Sequence, residues 1–111
     1  TRIELRVGDG AANPYLATAA ALHAGLDGIR RKLQPPEPFE GLIYDDPRAA
    51  DCVPLPTTFP EALAALAADD LLRNAMGDEL VRVFLEIKGA ELERARKWVT
   101  DWEFREYTHH L

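Results

Sequence analysis

Arg2, Glu4 and Arg6 are the residues whose types and spacing best suit chemistry. They alternate with Ile3, Leu5 and Val7, so an extended backbone puts the three polar groups on one face, roughly 7 Å apart per pair. Such a face suits a metal-assisted phosphoryl site, with Glu4 as a hard oxygen ligand and the arginines as clamps on carboxylate or phosphate. The plain alternative is a solvated strand face whose charges neutralise one another. Spacing alone favours the plain alternative, because matches of this size arise easily by chance.

The other polar candidates are weaker. His23 has Asp27 four residues on but no further ligand at helical spacing, and reads as a helix histidine. His109 and His110 read as a frayed polar tail rather than a chelating pair. Cys52 follows Asp51 and lacks the positive neighbour that would lower its pKa, so it reads as a bystander thiol. Trp98, Trp102 and Tyr107 read as core or interface anchors.

The elements that must position these groups follow from periodicity. Strict alternation over residues 1–7 predicts a strand with one buried face, ended by Gly8-Asp9-Gly10. Asn13-Pro14 predicts a helix start, and Leu22, Leu26, Ile29 and Leu33 form an apolar stripe on that helix. Pro35-Pro36 stops it. Residues 34–57 hold six of the eight prolines and predict a long functional or docking loop, anchored by Phe39, Leu42, Ile43 and Tyr44. Thr58-x-x-Glu61 is a capping box for a helix carrying Leu63 and Leu66. Asp69-Asp70 caps a short turn closed by Gly77, and Asp78 is expected to cap the longest helix, about 79–99. Val81, Phe84, Leu85, Lys88, Leu92, Ala95 and Val99 share a face there. Thr100-x-x-Glu103 predicts a terminal helix bearing Trp102, Phe104 and Tyr107. The expected fold class is an α+β fragment, mainly α: one N-terminal strand, four or five helices and a long Pro-rich loop.

Composition narrows the function. The chain has 111 residues, 13 Lys plus Arg against 19 Asp plus Glu, and a net charge of −6. That acidity argues against non-specific binding to nucleic acid or anionic membranes. No apolar run approaches the length of a membrane span, about 18 residues. One cysteine and no signal-peptide pattern make the cytoplasm the expected compartment. A lone strand cannot satisfy its backbone groups, and the chain opens at Thr1 without a methionine. It is therefore expected to be a piece of something longer, with the missing strands upstream.

Taken with that layout, R-I-E-L-R at residues 2–6, D-x-x-x-N-P-Y-L-A-x-A-A at 9–20, A-G-L-D-G-I at 24–29 and P-P-E-P at 35–38 resemble the glutamine synthetase family. The resemblance continues through L-P-x-T at 55–58 and V-T-x-W-E-F-x-x-Y at 99–107. It implies the C-terminal portion of a catalytic domain: residues 1–7 an active-site barrel strand, 13–33 a helix, 34–57 the Pro-rich loop and 58–111 a helical region. The implied reaction is ATP-dependent joining of glutamate and ammonia through γ-glutamyl phosphate, with Mg2+ or Mn2+. Glu4 then takes the role of a metal ligand, Arg6 contacts the substrate glutamate and the transferring phosphoryl group, and Arg2 lies on the nucleotide side. The resemblance further implies a homo-oligomer, and an inactive fragment, since the other ligands lie upstream.

Two departures from the family pattern stand out. G-L-I-Y-D-D-P puts Tyr44 where some family members carry an adenylylated tyrosine, with altered neighbours; a structural loop tyrosine is favoured over a regulatory one. The stretch 46–54 also diverges, as in relatives that join glutamate to other amines, so the acceptor amine stays open. The rival from another class is a non-enzymatic helical interaction module, against which the paired Glu4 and arginines argue.

Overall fold

Helix ends in this chain are written into residues that bond within three or four positions of themselves. The computed structural model describes residues 2–38, 41–42 and 52–110, with α1 over Pro14–Arg30, α2 over Phe59–Ala68, α3 over Asp70–Met76, α4 over Asp78–Arg96 and α5 over Trp102–Tyr107. Asn13 caps α1: its side-chain oxygen accepts from the N–H groups of Tyr15 at 3.0 Å and Leu16 at 3.3 Å, while Pro14 takes the first helical position. Thr58 and Glu61 form the expected capping box on α2. Asp69 caps α3 by accepting from Leu72 N at 2.9 Å. A single 3₁₀ turn, Thr108–His110, follows α5.

The corner between α3 and α4 departs from expectation. Asp78 is not the cap of α4; it is the helix's first residue, and Gly77 at φ 98° makes the turn. That left-handed φ suits glycine, which has no Cβ to clash. Asp78 instead accepts from Arg73, whose Nε lies 2.9 Å away. Arg73 also reaches Asp70 at 3.9 Å and the Ala67 carbonyl at 3.5 Å, so one guanidinium ties α2, α3 and α4 together. The hydrogen bonds to Asp78 hold its pKa above the usual arginine value.

α3 is the hub of the packing. Among the described elements it touches α1, α2 and α4, and α2 also packs on α4, whereas α1 packs on α3 alone. Val81 of α4 is the one buried apolar side chain among the described residues, at 3% exposure. On α2, α3 and α4, Leu63, Leu66, Leu72, Met76, Phe84 and Leu85 are half-buried. The face expected on α4 holds as far as Leu92; Ala95 and Val99 lie exposed. On α1 the buried side is a different one. Leu16, Ala19, Ala20, His23, Asp27 and Gly28 are half-buried, at helical spacing. The stripe of Leu22, Leu26, Ile29 and Leu33 faces solvent.

The expected strand is not formed. Residues 2–9 are neither helix nor strand, and no strand occurs among the described residues. The physical reason is that a ladder needs a second strand to receive its backbone bonds, and none of the described segments offers one. Ile3, Leu5 and Val7 are accordingly exposed. The described parts of the Pro-rich stretch (34–38, 41–42 and 52–57) likewise carry no helix or strand. The radius of gyration is 18.8 Å, against ~13 Å for a compact chain of this length. The surface tells the same story: 10183 Å² is accessible, where a folded monomer of this size exposes about 6,100 Å².

Candidate functional site

Alternation brings the three N-terminal polar residues together without a sheet. Arg6 donates from Nε to Glu4 Oε1 at 2.6 Å, and its Nη2 lies 2.6 Å from the same oxygen. On the other side Arg2 Nη2 stands 3.6 Å from Glu4 Oε2. Each carboxylate oxygen thus faces one guanidinium, as residues two apart on an extended chain allow. The guanidiniums are exposed, with Arg2 at 87% and Arg6 at 85%, so the ion pairs add little stability and the groups are accessible to a ligand.

This cluster does not by itself fit a divalent cation. Magnesium demands near-octahedral oxygen coordination, and Glu4 is the one carboxylate of the cluster. Among the described residues no group of three or more His, Cys, Asp or Glu is placed to hold a metal. What the cluster offers alone is a planar cationic fork on either side of a carboxylate, suited to carboxylate and phosphate oxygens.

The connection from this cluster to the helices is short and ordered by one side chain. Asp9 Oδ1 accepts from Ala11 N at 2.7 Å, and its carbonyl accepts from Ala12 N at 3.0 Å. One residue further, Asn13 starts α1. Beyond that turn a groove of about 660 Å³ runs between the N-terminal half of α1 and the α2–α4 pair. Leu16, Ala20, Phe59, Leu66, Leu80 and Phe84 line it. Neither Phe59 nor Leu80 was legible as a groove residue, since each is a single apolar side chain near a helix start.

The remaining candidates stay apart from the cluster. His23, Asp27, Arg30 and Asp70 line a smaller cleft between α1 and α3, and Asp27 is paired with Arg31 at 3.2 Å. Cys52 is exposed. Trp102 meets Tyr107 edge to face at 6.1 Å between ring centroids, and both rings remain largely exposed. Tyr44 lies outside the described residues.

Comparison with known proteins covers the same ground from the other direction. The family model for the glutamine synthetase catalytic domain matches residues 1–107. Glutamine synthetase of Methanococcus voltae is 44% identical over 111 residues, covering 96% of this chain and 25% of the relative. Those of Staphylococcus epidermidis and Staphylococcus aureus are 42% and 41% identical with the same coverage. The chain therefore spans about a quarter of the length of the curated relatives it matches. Among the described residues no helix is long and apolar enough to cross a membrane. A match over nearly every residue, at this identity, settles the assignment: this chain belongs to the glutamine synthetase catalytic-domain family.

Proposed function

We propose that this chain is the C-terminal part of an ATP-dependent glutamate–ammonia ligase, cytoplasmic and homo-oligomeric, working through γ-glutamyl phosphate. The observation that carries the reading is Glu4 held between Arg6 and Arg2, at 2.6 and 3.6 Å, in a chain of this family. The chemistry needs such a face. A carboxylate is a poor electrophile until one oxygen becomes a leaving group, and moving a phosphoryl group between anions requires concentrated positive charge.

In the proposed sequence the γ-carboxylate of glutamate attacks the terminal phosphorus of ATP, and the bond to ADP breaks. The nitrogen lone pair of ammonia then attacks the activated carbonyl carbon. Phosphate leaves with its bonding electrons, the nitrogen loses a proton, and glutamine results. Arg6 binds a substrate carboxylate and neutralises the transferring phosphoryl oxygens. Arg2 acts from the nucleotide side. Glu4 would hold one position on an Mg2+ or Mn2+ whose other ligands lie outside this chain, and the bound ion would supply neutralising charge for the phosphates. Because those ligands are elsewhere, and the chain exposes far more surface than a closed domain, the 111 residues alone are proposed to be inactive.

Steady-state kinetics on the complete enzyme test the reading. Glu4→Ala is expected to lower turnover by roughly 10–100-fold and to weaken metal and nucleotide binding. Arg6→Lys is expected to be damaging too, because a point charge does not replace a planar bidentate fork. Near-normal kcat/KM in both variants would sink the site assignment. Turnover with a primary alkylamine and none with ammonia would move the reading to a glutamate–amine ligase. ATP-dependent phosphate release from the 111 residues alone would overturn the incomplete-domain reading.

A further inference from the structure

The chain between the Arg2–Glu4–Arg6 cluster and α1 ought to be loose. Gly8 and Gly10 are the least constrained residues available, and a Cβ built at either would meet nothing within 4 Å. Neither has a positive φ that demands glycine. Sterics therefore do not hold this link, and the two glycines lose the most conformational entropy on being ordered. Yet residues 9–12 form a closed turn. Asp9 accepts twice within it: the carboxylate takes Ala11 N at 2.7 Å, and the carbonyl takes Ala12 N at 3.0 Å. Asn13 then accepts from Tyr15 and Leu16, so the turn passes directly into a capped helix.

We infer that Asp9 is a positioning residue: its side chain closes the turn that fixes the direction in which the Arg2–Glu4–Arg6 segment leaves α1. The inference rests on the proposed role of Glu4 and Arg6, and adds a residue that touches neither substrate nor metal. An aspartate at the first position of such a turn bonds the backbone two residues on, in effect replacing one chain bond with a ring. Removing the carboxylate leaves the single Ala12–Asp9 backbone bond to hold the turn around Gly10. Arg6 is three residues away, so a change of direction there displaces its guanidinium. The ring requires an acceptor on Cγ. An asparagine supplies that atom without the charge, and a glutamate supplies the charge one methylene too far out.

This pairing gives the test, made on the complete enzyme with Asp9→Ala, Asp9→Asn, Asp9→Glu and Glu4→Gln. Misplacement of a reacting group by about 1 Å can cost on the order of 100-fold, so Asp9→Ala and Asp9→Glu are expected to lower kcat and raise KM for glutamate by about tenfold each. Asp9→Asn is expected to stay within about twofold of wild type, because its amide oxygen closes the same ring. A merely structural turn would lower Tm and leave both constants unchanged well below it. Wild-type kcat and KM in Asp9→Ala, beside an impaired Glu4→Gln, would overturn the inference alone. So would Asp9→Asn failing as badly as Asp9→Ala, which would place the role in the charge. Wild-type turnover in Glu4→Gln would overturn the reading of the site, and this inference with it.

Discussion

Residues 2–9 and the α2–α4 unit sit at opposite ends of one question: how much structure a stretch of chain can hold from its own residues. α2 and α3 close their N-terminal caps locally, Arg73 bridges α2, α3 and α4 at their corner, and Val81 of α4 is buried. The N-terminal segment has an equally clear pattern, yet Ile3, Leu5 and Val7 remain exposed at 96%, 65% and 61%. The difference is where the backbone bonds go. A helix satisfies its own donors and acceptors, so an apolar face and a cap suffice. A strand's bonds belong to a neighbour, and its pattern is a claim on residues elsewhere.

The sharpest way to break this contrast is to attack the one buried side chain. Val81→Asp would place a carboxylate without a partner where α2 and α4 meet, a cost on the order of 3–5 kcal/mol. It should abolish most of the cooperative helical signal in far-UV circular dichroism. An unchanged melting curve would show that α2–α4 is no more self-supporting than the N-terminal segment.

A smaller effect comes from the α2 cap. Glu61 accepts from Thr57 N at 2.9 Å, Thr57 Oγ1 at 3.0 Å and Thr58 N at 3.0 Å, and Thr58 Oγ1 accepts from Glu61 N at 3.4 Å. Thr58→Ala is expected to lower the stability of the helical unit by about 1 kcal/mol in urea titration. The Thr57 side-chain bond, then the backbone bonds of Thr57 and Thr58, hold the Glu61 pKa below the ordinary glutamate value. The unfolded chain therefore binds the proton first as pH falls. This contribution is complete above about 4.5 and is lost as pH drops through the lower folded value. Thr57→Ala should flatten that acid limb; an unaltered limb would remove Glu61 as its source.

What the sequence made legible divides along the same line. Asn13, Thr58 and Asp69 were readable as caps because each acts within three residues of itself. The Arg2–Glu4–Arg6 cluster was readable because a period of two needs only an extended backbone, not a sheet. Asp78 was misread because the cap signature does not reveal that Gly77 turns the chain first and that Arg73 competes for the carboxylate. On α1 the Leu22, Leu26, Ile29 and Leu33 stripe has helical spacing but is exposed, because apolar spacing names a face and not its partner. The half-buried side instead carries Ala19, Ala20, His23, Asp27 and Gly28, and His23, Asp27 and Arg30 line the cleft against α3, a face whose pattern is not one of hydropathy. The groove beside it was invisible, since its walls come from α1 and from helices that begin only after residues 31–58 have intervened.

The smallest expected effect is the most direct comparison of the two regions. Deleting residues 1–7 removes the three exposed apolar side chains and the charged face, and residues 2–7 are all exposed. The Asp9 turn and the Asn13 cap remain, so α1 keeps its start. The helical signal and the urea midpoint of the shortened chain should match those of the intact one. The test becomes sharper with sedimentation alongside. If the segment's unpaired backbone edge joins that of a second copy, the intact chain self-associates and the shortened one is monomeric. If the edge frays, both are monomeric. An assembly that survives the deletion places the contact on the helices or on the exposed Trp102, Phe104 and Tyr107 of α5. A fall in the urea midpoint would be the adverse result, because it would mean that residues 1–7 already have a partner within this chain. The contrast between a self-contained helical unit and a segment whose bonds belong elsewhere would then fail.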